Sequence, residues 1–279
     1  MPNPERVAVD PASGNLVAVG PASLNGPQVV SVVGPGGRVL RQRTLAGTDA
    51  SHPRALLLDP AHRLLVLALA DVPAASDYHT TLVALDAATL APRWARTLGY
   101  PTDGNGGFLA QDPGAGQLWA VAPGGLVEAI DAGTGRVRSS FARRGGVTPP
   151  GTQLALLVDG VRHRGYVALW GYRVDVFDPA TRDRHELPEA ACTGAELVGL
   201  DQRAGVLLTE RYAGVSLCDA RTGAAVGGFA LDRWDGSAYP ATLAEAAGTL
   251  LLARDTQLPV DDPVAGSTTE GGVTLAIVR

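Results

Sequence analysis

Leu56-Leu57-Leu58-Asp59-Pro60, followed after three intervening residues by Leu64-Leu65-Val66-Leu67, is an apolar run, an acidic turn and a second apolar run. Short apolar runs bounded by turn chemistry read as strands. Asp-Pro is such chemistry. The carboxylate accepts hydrogen bonds from backbone amides just downstream, and proline presets its own φ. The stretch is therefore read as a β-hairpin.

Outward from it, the pattern recurs along the whole chain. It is found as Val7-Ala8-Val9-Asp10-Pro11 with Leu16-Val17-Ala18-Val19, and as Leu109-Ala110-Gln111-Asp112-Pro113 with Leu118-Trp119-Ala120-Val121. It continues as Leu156-Leu157-Val158-Asp159 with Tyr166-Val167-Ala168-Leu169, and as Leu197-Val198-Gly199-Leu200-Asp201 with Val206-Leu207-Leu208-Thr209. The last copy, Thr242-Leu243-Ala244-Glu245 with Leu250-Leu251-Leu252-Ala253, has Glu in place of Asp. A second signature alternates with the first, a strand ending in Asp with Thr three residues on: Asp86 and Thr89, Asp131 and Thr134, Asp178 and Thr181, Asp219 and Thr222. These acids are read as turn caps before anything else.

Each unit then reads strand, turn, strand, loop, strand, Asp-x-x-Thr turn, strand, which is one four-stranded antiparallel sheet with a period of roughly 40 to 50 residues. The first two strands are apolar at nearly every position, which predicts cover on both faces. The outer strand is more polar, as in Arg93-Trp94-Ala95-Arg96-Thr97 and around Arg41 and Arg43, where charge guards an open edge. The predicted fold class is all-β: a β-propeller of about six four-stranded blades, six in preference to seven, forming one domain over residues 1–279. The blades fall at about 5–47, 52–99, 106–143, 152–190, 194–232 and 239–279. The last unit stops on its third strand, Gly272 to Arg279, so an incomplete last blade is expected.

The paired signatures resemble the YVTN-type repeats of the quinoprotein-amine-dehydrogenase-like propeller superfamily, over almost the whole chain. The resemblance implies the propeller architecture. It implies little about activity, because enzyme subunits, surface proteins and binding proteins share that architecture. Asp131-Ala132-Gly133-Thr134-Gly135 is similar to repeats of quinone-cofactor propellers, but no Trp follows at a regular place in each unit. The resemblance therefore does not extend to a pyrroloquinoline quinone enzyme, and no cofactor is expected.

Composition removes several chemistries. All 23 basic residues are Arg, so no Schiff-base or phosphate-loop lysine exists. A net charge of −5 without a basic run argues against a nucleic-acid footprint. Cys192 and Cys218 lack the close spacing of a zinc or redox pair, and whether they form a disulfide is left open. The N-terminus has no apolar leader, and the longest apolar run, Leu64 to Ala70, is too short to span a bilayer. The reading is a soluble chain without membrane insertion, cytoplasmic or exported with its leader removed.

In a propeller, the loops from second to third strand and those entering each first strand gather on one face. The second-to-third loops read as long at 21–27, 71–81 and 255–270. Asp71, Asp77, Tyr78 and His79 fall in the second of these, and Asp255, Asp261, Asp262 and Glu270 in the third. Oxygen ligands of this kind suit calcium. Entry loops add His52 with Arg54, and Asp103 with Asn105. Trp170, Tyr172, Glu210, Arg211, Tyr212 and Arg254 lie just beyond second strands, and aromatic and Arg groups on a rim favour ligand or partner contact.

For catalysis, only His52 and His79 stand in that sector as bases, with Asp71 or Asp77 to orient one of them. The preferred function is a non-catalytic recognition scaffold that presents the loop-rich face to a protein, peptide or small ligand. The alternative is a metal-dependent hydrolase or lactonase-like enzyme with its site at the channel mouth. A structural subunit whose missing strand a partner supplies is a third reading.

Overall fold

A computed structural model describes residues 4–48, 51–70, 78–102, 108–121, 126–141, 155–169, 173–181, 183–187, 196–211, 214–230, 242–246, 249–262 and 266–278. Among these every regular element is a strand, and the strands form antiparallel meanders in chain order. The first sheet comprises β1 (Arg6–Val9), β2 (Leu16–Pro21), β3 (Gln28–Val33) and β4 (Val39–Thr44). The second comprises β5 (His52–Asp59), β6 (Leu64–Ala70), β7 (Tyr78–Asp86) and β8 (Pro92–Thr102). The third comprises β9 (Phe108–Asp112), β10 (Gln117–Val121), β11 (Val127–Asp131) and β12 (Val137–Phe141).

The fourth sheet holds β13 (Ala155–Asp159), β14 (Arg164–Leu169), β15 (Arg173–Asp178) and β16 (Asp183–Glu186). The fifth holds β17 (Glu196–Asp201), β18 (Val206–Arg211), β19 (Gly214–Asp219) and β20 (Ala225–Ala230). A sixth has three strands among the described residues, β21 (Thr242–Ala246), β22 (Thr249–Asp262) and β23 (Gly266–Val278). The chain divides into two compact units, Met1–Trp170 with Val176–Arg184, and Gly171–Asp175 with His185–Arg279.

In the first unit the opening strands of successive sheets pack side by side: β1 on β5, β5 on β9, and β9 on β13. In the second unit β17 packs on β21. The period of two along each strand sends alternate residues to opposite neighbours. Leu65, Leu67 and Leu69 of β6 pack with Val17, Val19, Val30 and Val32 of the first sheet. Leu64, Val66 and Ala68 pack with Leu118, Ala120 and Ile130 of the third. Trp119 and Val121 turn the other way, onto Leu156, Val158, Val167 and Phe177 of the fourth. This explains why β6 is apolar without alternation: all seven residues are buried, each Leu or Val side chain worth about 1.5–3 kcal/mol against exposure.

Two sequence expectations need correction. The buried pair is the two central strands rather than the first two, since β2 and β3 are almost wholly buried while β1 is mostly exposed, Val7 and Val9 included. A first strand has a ladder partner on one side only, so its cover is incomplete. The second correction concerns residues 255–270, read above as a loop. There β22 and β23 stay paired from Leu250 and Val278 out to Asp262 and Gly266, one long hairpin. β21 covers β22 only as far as Ala253, so beyond it β22 has a neighbour on one side among the described residues, which lets Pro259 sit in the strand without an N–H to offer.

Candidate functional site

The first and second sheets have two ends with different chemistry. At the hairpin-turn end, eight of the described turns share one geometry: an acid opens the turn, and the residue four positions on adopts a left-handed backbone. Those residues are Gly14, Arg63, Leu90, Gly116, Gly135, His163, Gly205 and Gly223. Glycine fills five of the eight because it takes positive φ at no steric cost. In five turns this residue also donates its N–H to the carbonyl of the acid, at 2.7–2.9 Å.

The acids cap these turns as the sequence predicts. Asp86 accepts from the Ala88 and Thr89 amides at 3.0 and 2.9 Å and from the Thr89 hydroxyl at 3.0 Å. Asp219 accepts from the Thr222 amide and hydroxyl, both at 2.7 Å. Asp131 accepts from the Thr134 amide at 2.9 Å and hydroxyl at 2.7 Å, and also from the Arg138 guanidinium. Arg138 first, then Thr134, holds the Asp131 carboxyl down to about 2. Asp86 and Asp219 are lowered for like reasons, chiefly the Thr89 amide and the Thr222 hydroxyl, and Asp10 by the Ser13 hydroxyl.

The acids of the first turns in the second, third and fourth sheets are fully buried, and each has a basic or imidazole partner. Asp59 takes His62 Nδ1 at 2.7 Å, and Asp159 takes the Arg162 guanidinium at 2.8 Å, both from three residues on. In the third sheet that position is Ala115, and Asp112 is met instead by His163 of the fourth sheet, Nδ1 to Oδ2 2.7 Å. This bond between sheets was missed in the sequence. Its one signal is local: Ala115 stands where the equivalent turns of the first, second and fourth sheets carry Ser13, His62 and Arg162.

At the other end, the first and second sheets are bridged by polar groups. His52 Nδ1 lies 3.3 Å from both carboxylate oxygens of Glu5. Arg6 donates from Nε to the Arg54 carbonyl at 3.2 Å and from a terminal nitrogen to the Glu5 carbonyl at 2.8 Å. His52 and Glu5 are partly solvent-exposed, at 49% and 31%. Beneath them the buried Gln28 donates from Nε2 to the Ser51 carbonyl at 2.6 Å, and its backbone N–H meets the Thr48 hydroxyl at 2.8 Å. The linker into β5 is thereby clamped, which fixes where His52 emerges.

The chain matches no protein-family model and no curated protein. What the site can do therefore follows from its own residues.

Of the sequence-predicted candidates, His52 and Arg54 open β5 and lie beside Glu5 and Arg6. Among the described residues the carboxylate beside His52 is Glu5. Tyr78 and His79 are strand rather than loop, the first two residues of β7, with Tyr78 in register with Thr102 at the same end of the sheet as His52. Arg211 ends β18 opposite Gly214.

Arg254 and Asp255 are mid-strand in β22, opposite Thr274 and Val273. Because β22 is extended there, Asp255 and Asp261 stand about 20 Å apart along it and do not converge, contrary to the loop reading. Asp71, Asp77, Asp103, Asn105, Trp170, Tyr172 and Tyr212 lie outside the described residues. Among the described residues no three His, Cys, Asp or Glu side chains are grouped to hold a metal ion, and no helix is long and apolar enough to cross a membrane.

Proposed function

We propose that the chain is a six-bladed β-propeller of YVTN-type repeats that acts as a non-catalytic recognition scaffold. The successive meanders support this reading, as do their opening strands packed side by side, the arrangement that surrounds a propeller's axis. The observation that carries the functional part is the division of polar chemistry between the two ends of the sheets. Turn-end acids are taken up by amides, hydroxyls and basic partners of the fold, whereas His52, Glu5 and Arg6 form an exposed polar rim across two sheets. A rigid scaffold carrying imidazole, carboxylate and guanidinium groups on one rim suits a polar partner, peptide or small ligand.

The test is a His52→Ala/Arg54→Ala variant, checked for native fold by circular dichroism, against the partner captured by the wild type and then purified. Affinity is expected to fall at least ~10-fold. Unchanged affinity for that purified partner refutes the rim as the contact. If the wild type instead turns over a panel of lactones and esters and the variant does not, the recognition reading gives way to catalysis.

A further inference from the structure

Cys218 is fully buried on β19, the strand between β18 and β20, in register with Leu207 on one side and Ala225 on the other. It is disulfide-bonded, and the chain contains one other cysteine, Cys192. We infer that Cys218 is joined to Cys192 of the same chain, and that the protein matures and works in an oxidising compartment rather than in a reducing cytosol.

Burial excludes one partner of Cys218, the same cysteine of a second copy. A second copy of the chain presents its own Cys218 from the inside of a sheet, so two such sulfurs cannot approach without unfolding both. Cys192 precedes β17 by a few residues in the same sheet's stretch of chain. With two cysteines in total, one bond leaves no thiol over to mispair, the pattern of a secreted domain; bonds of this kind persist in oxidising compartments and are rare in the cytosol.

The chemistry balances. The two thiols give up two protons and two electrons as the S–S bond forms, and a disulfide-bearing oxidant takes them up and leaves as two thiols. The bond closes about 26 residues of chain that contain β17 and β18. Tethering a loop of that length shifts a folding equilibrium by roughly 10²-fold. This inference is independent of the recognition reading.

The experiment compares protein exported into an oxidising compartment with protein made in a reducing cytosol. Each is alkylated under denaturing conditions with and without prior reduction, then mapped as peptides. The exported protein is expected to take up alkylating agent only after reduction and to yield one cross-linked peptide pair holding Cys192 and Cys218. Reduction, or Cys192→Ser, is expected to lower the folding equilibrium constant of the exported protein by roughly 10²-fold, with no further effect of reductant on the variant.

Two free thiols in the exported protein, or a reducible dimer, overturns the pairing. A cytosolic preparation that is reduced and equally stable overturns the compartment. Cys192→Ser is the decisive variant, because Cys218→Ser also buries a hydroxyl in the sheet.

Discussion

Gly165→Ala places one methyl group against the face of a buried indole. Gly165 lies on β14 in the fourth sheet, and a Cβ there meets Cζ3 and Cε3 of Trp119, on β10 of the third, at 2.7 and 2.9 Å. Carbon atoms at ordinary contact stand roughly 3.5–4.0 Å apart, so one group must yield by about 1 Å. The indole has little freedom to yield. It is fully buried and stacked on Phe141 at 6.1 Å between ring centroids, and Phe141 in turn meets Phe177 edge-on at 5.6 Å.

Overpacking of this kind costs about 1–3 kcal/mol. Alanine also restricts the unfolded chain, which offsets about 0.4–1 kcal/mol. The variant is therefore expected to be about 1–2 kcal/mol less stable in urea unfolding followed by far-ultraviolet circular dichroism. Trp119→Leu removes the atoms that clash and alone costs about 3 kcal/mol. The double variant should cost less than the sum of the two by about 1 kcal/mol, because the new methyl enters space the indole has left. A Gly165→Ala protein within about 0.5 kcal/mol of wild type, or strict additivity in the double variant, refutes tight packing of the third sheet on the fourth.

Asp131 makes stability depend on pH in a defined direction. Its folded value of about 2 lies below the 3.8 of a free aspartate, so its contribution is full above that unfolded value and is lost as pH falls through about 2. Asp131 is a quarter exposed and Arg138 more so, and solvent screening reduces the effect to about 1 kcal/mol. Asp131→Asn should flatten the fall in unfolding free energy over that window, and an unchanged pH profile counts against the assignment. His163→Ala leaves the buried Asp112 with the Ala115 amide but without its partner from the fourth sheet, a loss of about 1–3 kcal/mol by urea unfolding. A loss no larger for His163→Ala than for exposed Val161→Ala would mean that the bond does not couple the sheets.

The repeat was legible because its chemistry is local. An aspartate that caps amides two and three residues on, as Asp86 and Asp219 do, carries the turn within five consecutive residues, and the strands on either side follow from their apolar runs. What joins one sheet to the next is not local. Trp94 donates its indole N–H to the Ala132 carbonyl at 3.0 Å, His163 meets Asp112, and Gly165 admits Trp119, across 38, 51 and 46 residues of sequence respectively. Nothing in either partner's own neighbourhood announces the other.

The same distinction explains two of the misread segments. A central strand and a first strand look alike in sequence because both are apolar, and only the number of ladder partners separates buried β2 from exposed β1. Residues 255–270 read as loop because Pro259 and the Asp261-Asp262 pair are strand breakers in a fully paired sheet. They are tolerated once β21 has ended and β22 keeps a single neighbour among the described residues. The rim at His52 was half legible for a related reason. The position of His52 followed from the repeat, but its partner Glu5 belongs to the preceding unit and is separated from it by a whole sheet of sequence. A site assembled by stacking repeated sheets is thus readable one residue at a time, while its pairs are set by which sheet lies next to which.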